Sequence, residues 1–276
     1  MPMNSQADNT FPGPVPKEAL AYFRTKKLKP GFDFRDVWRE EHATAFTVAK
    51  AMETDILQAL HAGVDEALEH GLTYQQFSTQ LTPLLQKLGW WGKRVMDDPL
   101  TGEEKIVQLG SPRRLRTIYN ANLRTARAAG QWQRAERTQK SHPYLLYQLG
   151  PSENHREEHV AWVGTILPID HPWWDAHFPP NGWGCKCHVR QISKREHERL
   201  VASGNYLTEP PKGGMRNWTN KRTGEVERVP VGIDPGWDTN PGKLSRPKAA
   251  KQQLKKKQVA LKKEIKTPPP QPIKRL

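Results

Sequence analysis

Apolar residues recur at helical spacing through the first half of the chain. Between residues 54 and 70, Ile56, Leu57, Leu60, Val64 and Leu68 return every three or four positions and Gly71 follows, which predicts an amphipathic helix stopped by its glycine. Thr73 and Gln76 have the spacing of a capping box. Phe77, Leu81, Leu84, Leu85 and Leu88 continue that second helix on one side, and Pro83 within it predicts a kink or break. Upstream, a short helix ending before Pro30-Gly31 and a second over residues 33–51, with Phe34, Val37, Trp38, Phe46 and Val48 among polar positions, are expected. Downstream, Ser111 and Pro112 read as the N-cap and first turn of a long helix reaching about Arg137, on which Leu115, Ile118, Tyr119, Leu123 and Ala126 share a face. The intervening residues 89–110 read as a loop or hairpin.

After Ser141 the pattern changes. Residues 144–147, 165–167 and 185–192 read as short strands between loops loaded with Pro, Gly and Trp. Six of the ten tryptophans, Trp162, Trp173, Trp174, Trp183, Trp218 and Trp237, fall in this half, where large rings can fill a small core with little regular structure. The fold class is α+β: a flexible N-terminus (1–16), a helical region (17–110), a small loop-rich, Trp-rich α+β domain (111–242) and a basic tail, disordered or helical (243–276). No repeat of 20 to 50 residues is visible.

Composition narrows the function classes. The 276 residues can bury a core without staples, and two cysteines exclude a disulfide scaffold. No apolar run approaches the roughly 20 residues of a membrane-spanning helix, and the polar, proline-rich first sixteen residues lack the apolar block of a secretory signal. The net charge is +14, of which residues 243–276 carry +11, from twelve basic residues against Glu264. Within that tail Lys248, Lys251, Lys255, Lys256, Lys257, Lys262, Lys263 and Lys266 are the candidate contacts to double-stranded DNA, acting by counterion release and not by reading bases. A solubilising extension or an anionic membrane surface are the competing readings. Arg113, Arg114, Arg116, Arg124 and Arg127 on the long helix read as a solvated basic face, with nucleic-acid contact as the alternative.

His155, His159, His171, His177, Cys185, Cys187 and His188 form the densest group of soft metal ligands. On a strand Cys185, Cys187 and Val189 would share a face. Two thiolates and two imidazoles would make a tetrahedral zinc site; buried thiols behaving as small hydrophobes are the alternative. His155 to His159 also fits the H-x-x-E-H string of inverted zinc peptidases, so a zinc-dependent hydrolase or nuclease using His159 with Glu157 or Glu158 is the competing class. Phosphate-binding glycine loops and the G-x-S-x-G elbow are missing from the sequence.

Arg156-x-x-His159, Gly164 to Pro168, Trp173 to His177, Pro179-Pro180-Asn181-Gly182 and Cys185-Lys186-Cys187 together resemble the Mu F-like minor head proteins of tailed bacteriophages, the phage head-morphogenesis domain. Arg116 to Asn122 and Gly232 to Gly242, with its closing Asn-Pro-Gly, agree, so the resemblance covers residues 111–242. Lys186 departs from the family's usual arginine, and His155 falls outside the pattern. The resemblance implies a minor head component of a phage or prophage, associated with the portal protein and other head proteins. It further implies a location in the phage head, or in the host cytoplasm during assembly, DNA binding in some relatives and no catalytic residues. Any metal, with structural zinc as the ion, is expected at the family-matching His159, His177, Cys185 and Cys187.

Overall fold

The computed structural model describes residues 16–37 and 39–244. Helix α1 (Lys17–Arg24) buries Ala19, Leu20, Tyr22 and Phe23. Residues 33–51 do not form the expected helix. Strand β1 (Lys27–Leu28) pairs in parallel with β2 (Ala45–Phe46), and between them lie two 3-10 turns, Phe34–Asp36 and Arg39–Ala43. Local chemistry explains the difference. Asp33 and Asp36 cap the first turn reciprocally, and Arg39 and Lys50 adopt the left-handed backbone, at φ +46° and +67°, which a continuous helix cannot hold.

Helix α2 (Thr54–His70) ends at Gly71 in the left-handed conformation, φ +65°, as its sequence predicts. Helix α3 (Tyr74–Lys87) opens on the Thr73/Gln76 capping box and runs unbroken through Pro83. Pro83 and Thr79 are both exposed, so the carbonyl that loses its N–H partner faces water, while buried Phe77, Leu81 and Leu85 keep the helix on its neighbours. Strands β3 (Lys93–Asp97) and β4 (Glu104–Gln108) form an antiparallel hairpin.

Helix α4 (Pro112–Thr138) joins the two halves. Ser111 Oγ accepts from the Arg114 N–H, and Pro112 occupies the first turn. Leu115, Ile118, Leu123, Ala126 and Ala129 belong to the N-terminal core with α1 to α3, whereas Ala128, Trp132 and Ala135 belong to a second core. Its arginines are not simply a solvated face. Arg114 donates to the carbonyls of Gln108, Leu109 and Ala49, Arg124 to those of Gly184 and Cys185, and Arg116 lies over the Tyr74 ring.

The second core packs on a three-stranded antiparallel sheet in the order β6-β5-β7, from β5 (Tyr144–Gln148), β6 (Ile166–Pro168) and β7 (His188–Ile192). Strand β7 starts at His188, so Cys185 and Cys187 stand in the loop before it and not on the strand face expected for them. Short helices α5 (Glu157–Ala161) and α6 (Trp174–His177) carry rings inward, and Trp132, Tyr147, Trp162, Trp174, Phe178 and Ile233 are buried together. Helix α7 (Lys194–Ala202), a hairpin of β8 (Met215–Thr219) with β9 (Val226–Pro230), and α8 (Pro241–Leu244) complete the fold. The hairpin is tied back to the N-terminal half through Arg222, which bridges Asp98 and Asp36, and through Arg39, which pairs with Glu227 and Asp238. Among the described residues no helix is long and apolar enough to cross a membrane.

Candidate functional site

His159, Cys185 and Cys187 converge: one donor atom from each lies within 4.8 Å of the others. The local chain explains why. Arg156 precedes α5 in extended backbone, and its guanidinium reaches Asp234 Oδ2 at 2.7 Å, which fixes the start of the helix. One turn later His159 points inward, 3% exposed, with its ring stacked on Trp162 at 4.7 Å. The cysteine loop is held from the other side by Arg124, which donates to the Cys185 carbonyl at 2.7 Å.

The histidine's hydrogen bonds define its tautomer. Nε2 lies 2.9 Å from the Gly232 carbonyl, which can only accept, so Nε2 carries the proton and Nδ1 offers its lone pair to the sulfurs. Nδ1 stands 3.5 Å from Cys187 Sγ and 3.9 Å from Cys185 Sγ. The two thiols share their protons unequally. Hydrogen bonding from Cys187 pulls Cys185 below the usual thiol range, and the Cys185 thiolate together with burial pushes Cys187 up. The Tyr147 hydroxyl is in hydrogen-bonding reach of Cys187 and donates to Asn181 Oδ1 at 3.1 Å; burial raises its phenol.

Three of the four expected metal ligands therefore meet. His177 does not join them: it stacks on Trp173 at 4.4 Å, edge-on to Trp162, with Nδ1 donating to the Trp173 carbonyl. Burial pushes it down to about 4, so it is neutral at physiological pH. His155 is exposed and precedes α5, so H-x-x-E-H does not place two imidazoles on one helical face. The eight lysines from Lys248 to Lys266 lie outside the described residues.

The loops that enclose the cluster approach too closely for side chains. A Cβ on Gly150 would fall 1.9 Å from the Lys186 carbonyl, one on Gly182 2.4 Å from Asp234 Oδ2, and one on Gly232 2.7 Å from Glu158 Cβ. Asp234 Oδ2 also accepts from the Trp183 N–H at 2.8 Å, and Asn240 donates to the Trp174 carbonyl while capping Gly242 and Lys243. The roles of Tyr147, the Gly232 carbonyl and the Arg156–Asp234 pair were not readable beforehand. Tyr147 shows only as an apolar strand position, and the other partners are about 75 residues apart in the chain. A cavity of about 340 Å³ opens between α1, α4, Trp183 and Trp237, and a smaller one of about 200 Å³ beside α4. His159 lines neither.

A family model described as Phage Mu protein F like protein matches residues 58–190. Over 242 residues the chain is 38% identical to a protein of Escherichia phage Mu named capsid assembly protein F, covering 82% of this chain and 54% of that one. Over 201 residues it is 36% identical to the Mu-like prophage FluMu F protein of Haemophilus influenzae, covering 71% and 44%. The chain thus spans about half the length of these curated relatives. No solved structure matches it.

Proposed function

This chain belongs to the phage Mu protein F-like family, and from that premise we propose that it is a minor head protein acting in capsid assembly of a Mu-like phage or prophage. The observation that carries the reading is the 38% identity, across 82% of the chain, to a relative named for capsid assembly.

The geometry supports an architectural part over a catalytic one. The side chains that carry the family resemblance fasten one loop to another: Arg156 to Asp234, His159 to the Gly232 carbonyl, Asn181 to Tyr147 and the Ala176 carbonyl, Asn240 to the Trp174 carbonyl. Such bonds hold long loops in one arrangement, which a docking surface requires. The H-x-x-E-H peptidase string gains nothing here, because its two histidines do not share a helix.

Within that role the chain works at the portal vertex, in contact with the portal protein and other head proteins, and it resides in the phage head or in the host cytoplasm during assembly. Its +11 segment contacts packaged double-stranded DNA without sequence preference. Deleting the coding sequence from an inducible prophage tests the assembly role: heads seen by electron microscopy are aberrant and infectivity returns only on complementation. Normal, infectious heads without the protein overturn it. Capture of the tagged chain during assembly brings down the portal subunit. In an electrophoretic shift assay DNA affinity falls with salt by a log–log slope of about −0.9 per phosphate neutralised, and it is lost when residues 243–276 are removed. A shift unchanged by that deletion refutes the tail as the DNA contact.

A further inference from the structure

We propose that His159 Nδ1, Cys185 Sγ and Cys187 Sγ bind one zinc ion, which fastens α5 to the loop leading into β7. The proposal is independent of the head-assembly role, since it is argued from donor geometry alone and read out as metal content.

Spacing is the first support. Zinc holds thiolate sulfur at about 2.3 Å and imidazole nitrogen at about 2.0–2.1 Å, and tetrahedral angles then put nitrogen about 3.6 Å from each sulfur. The distances here are 3.5 and 3.9 Å, with all three donors inside 4.8 Å. Thiols packed merely as small hydrophobes have no reason to converge on one imidazole lone pair.

Orientation is the second. Histidines that bind metal almost always donate their other N–H to a carbonyl or carboxylate, which fixes the tautomer. His159 does this through Nε2 to the Gly232 carbonyl at 2.9 Å, and Gly232 is held in the left-handed conformation, φ +86°, against Trp162. The sulfurs are equally prepared. Arg124 anchors the Gly184 and Cys185 carbonyls, and the Lys186 carbonyl abuts Gly150 so closely that no side chain fits there. The donor set is thus framed by the protein's own hydrogen bonds and close backbone contacts.

Donor chemistry is the third. Two thiolates with one imidazole select a borderline-soft divalent ion, and oxygen-seeking magnesium or calcium has no ligand here. Bound as two thiolates, the sulfurs leave a neutral core with Zn²⁺, which suits a buried place; His159 is 3% and Cys185 8% exposed. The fourth position falls to water or another light-atom ligand, because His177 is turned onto Trp173.

The chain has two cysteines, so every thiol signal reports this site. Purified full-length protein should contain one zinc per chain, and zinc-edge X-ray absorption should show two sulfur and two nitrogen or oxygen neighbours. Both thiols should resist a maleimide until a strong chelator removes the metal, and zinc chloride should restore both the protection and the original Tm. Cys185→Ser, Cys187→Ser and His159→Ala should lose the ion, while His177→Ala keeps it. Should a metal-binding variant fail to fold, the metal content and absorption spectrum of the unaltered protein still decide. Protein isolated from zinc-supplemented medium without metal, a Cys185–Cys187 disulfide in freshly isolated material, or loss of zinc in folded His177→Ala would overturn the assignment.

Discussion

The two ends of α4 sit in different kinds of core. Its first half lies among aliphatic stripes, where Leu57, Leu60, Val64, Leu81 and Leu85 from α2 and α3 meet Leu115, Ile118 and Leu123. Its second half ends among rings, Trp132, Trp162, Trp174, Tyr147 and Phe178, carried by loops and one-turn helices. The first core follows from the helical repeat. The second forms only when polar fasteners and side-chain-free backbone contacts bring distant loops together, so its packing is conditional on a few specific residues. That difference suits a division in which the helical half supplies bulk stability and the Trp-rich half supplies the shaped surface.

Substitutions can break or sharpen this contrast. The largest effect is expected from Trp174→Ala. Its ring is fully buried and its Nε1–H donates to the Pro168 carbonyl, so truncation costs about 3–5 kcal/mol by chemical denaturation. If the second core is the conditional one, near-UV circular dichroism collapses while far-UV helix signal from α2 and α3 persists. Simultaneous loss of both signals would mean the two cores are one cooperative unit.

Gly182→Ala comes next. Its Cβ would press on Asp234 Oδ2 and on Arg156 Nη1 at 2.4 and 2.5 Å, and prying that ion pair apart costs about 1–3 kcal/mol. Hydrogen exchange should rise around α5 and residues 181–187 and stay unchanged in α2. Gly130→Ala is the matched change for the helical half. Alanine gains up to about 1 kcal/mol of helix propensity over glycine, but its Cβ would meet the Ala19 backbone nitrogen at 2.8 Å and push α1 off α4. The clash wins, for a net loss of about 1 kcal/mol, smaller than at Gly182. A stabilised Gly130→Ala protein would show that α1 yields freely.

The smallest effect concerns acid. Glu18 on α1 is held down at about 2, from an ordinary value of 4.5, chiefly by hydrogen bonding to Arg137 on α4 and also by Arg134. Because the folded value is depressed, the contribution is complete above about pH 4.5 and is lost as pH falls toward 2. The arginines are largely exposed, so it amounts to at most about 1 kcal/mol. Glu18→Gln should flatten that part of the stability curve; an unchanged curve would show that the pair contributes nothing.

Legibility in the sequence follows the same divide. The glycine stop of α2, the capping box of α3, the Ser111-Pro112 start of α4 and the α+β class were all readable, because caps and amphipathic periods are contacts within a turn or two of chain. Where local signals competed, the reading failed: apolar residues over 33–51 suggested a helix, yet paired aspartates and left-handed Arg39 and Lys50 make turns and a strand. The grouping of His159 with Cys185 and Cys187 was legible in the family pattern, whereas the departure of His177 from it was not. That His159 meets Cys185 and Cys187 while His177 turns to Trp173 depends on where loops 73 and 78 residues apart are pinned, by His159 to the Gly232 carbonyl and by Arg156 to Asp234. A one-dimensional pattern encodes which faces seek burial; the path of an irregular loop is set by its partners, and those exist only once the chain has closed on itself.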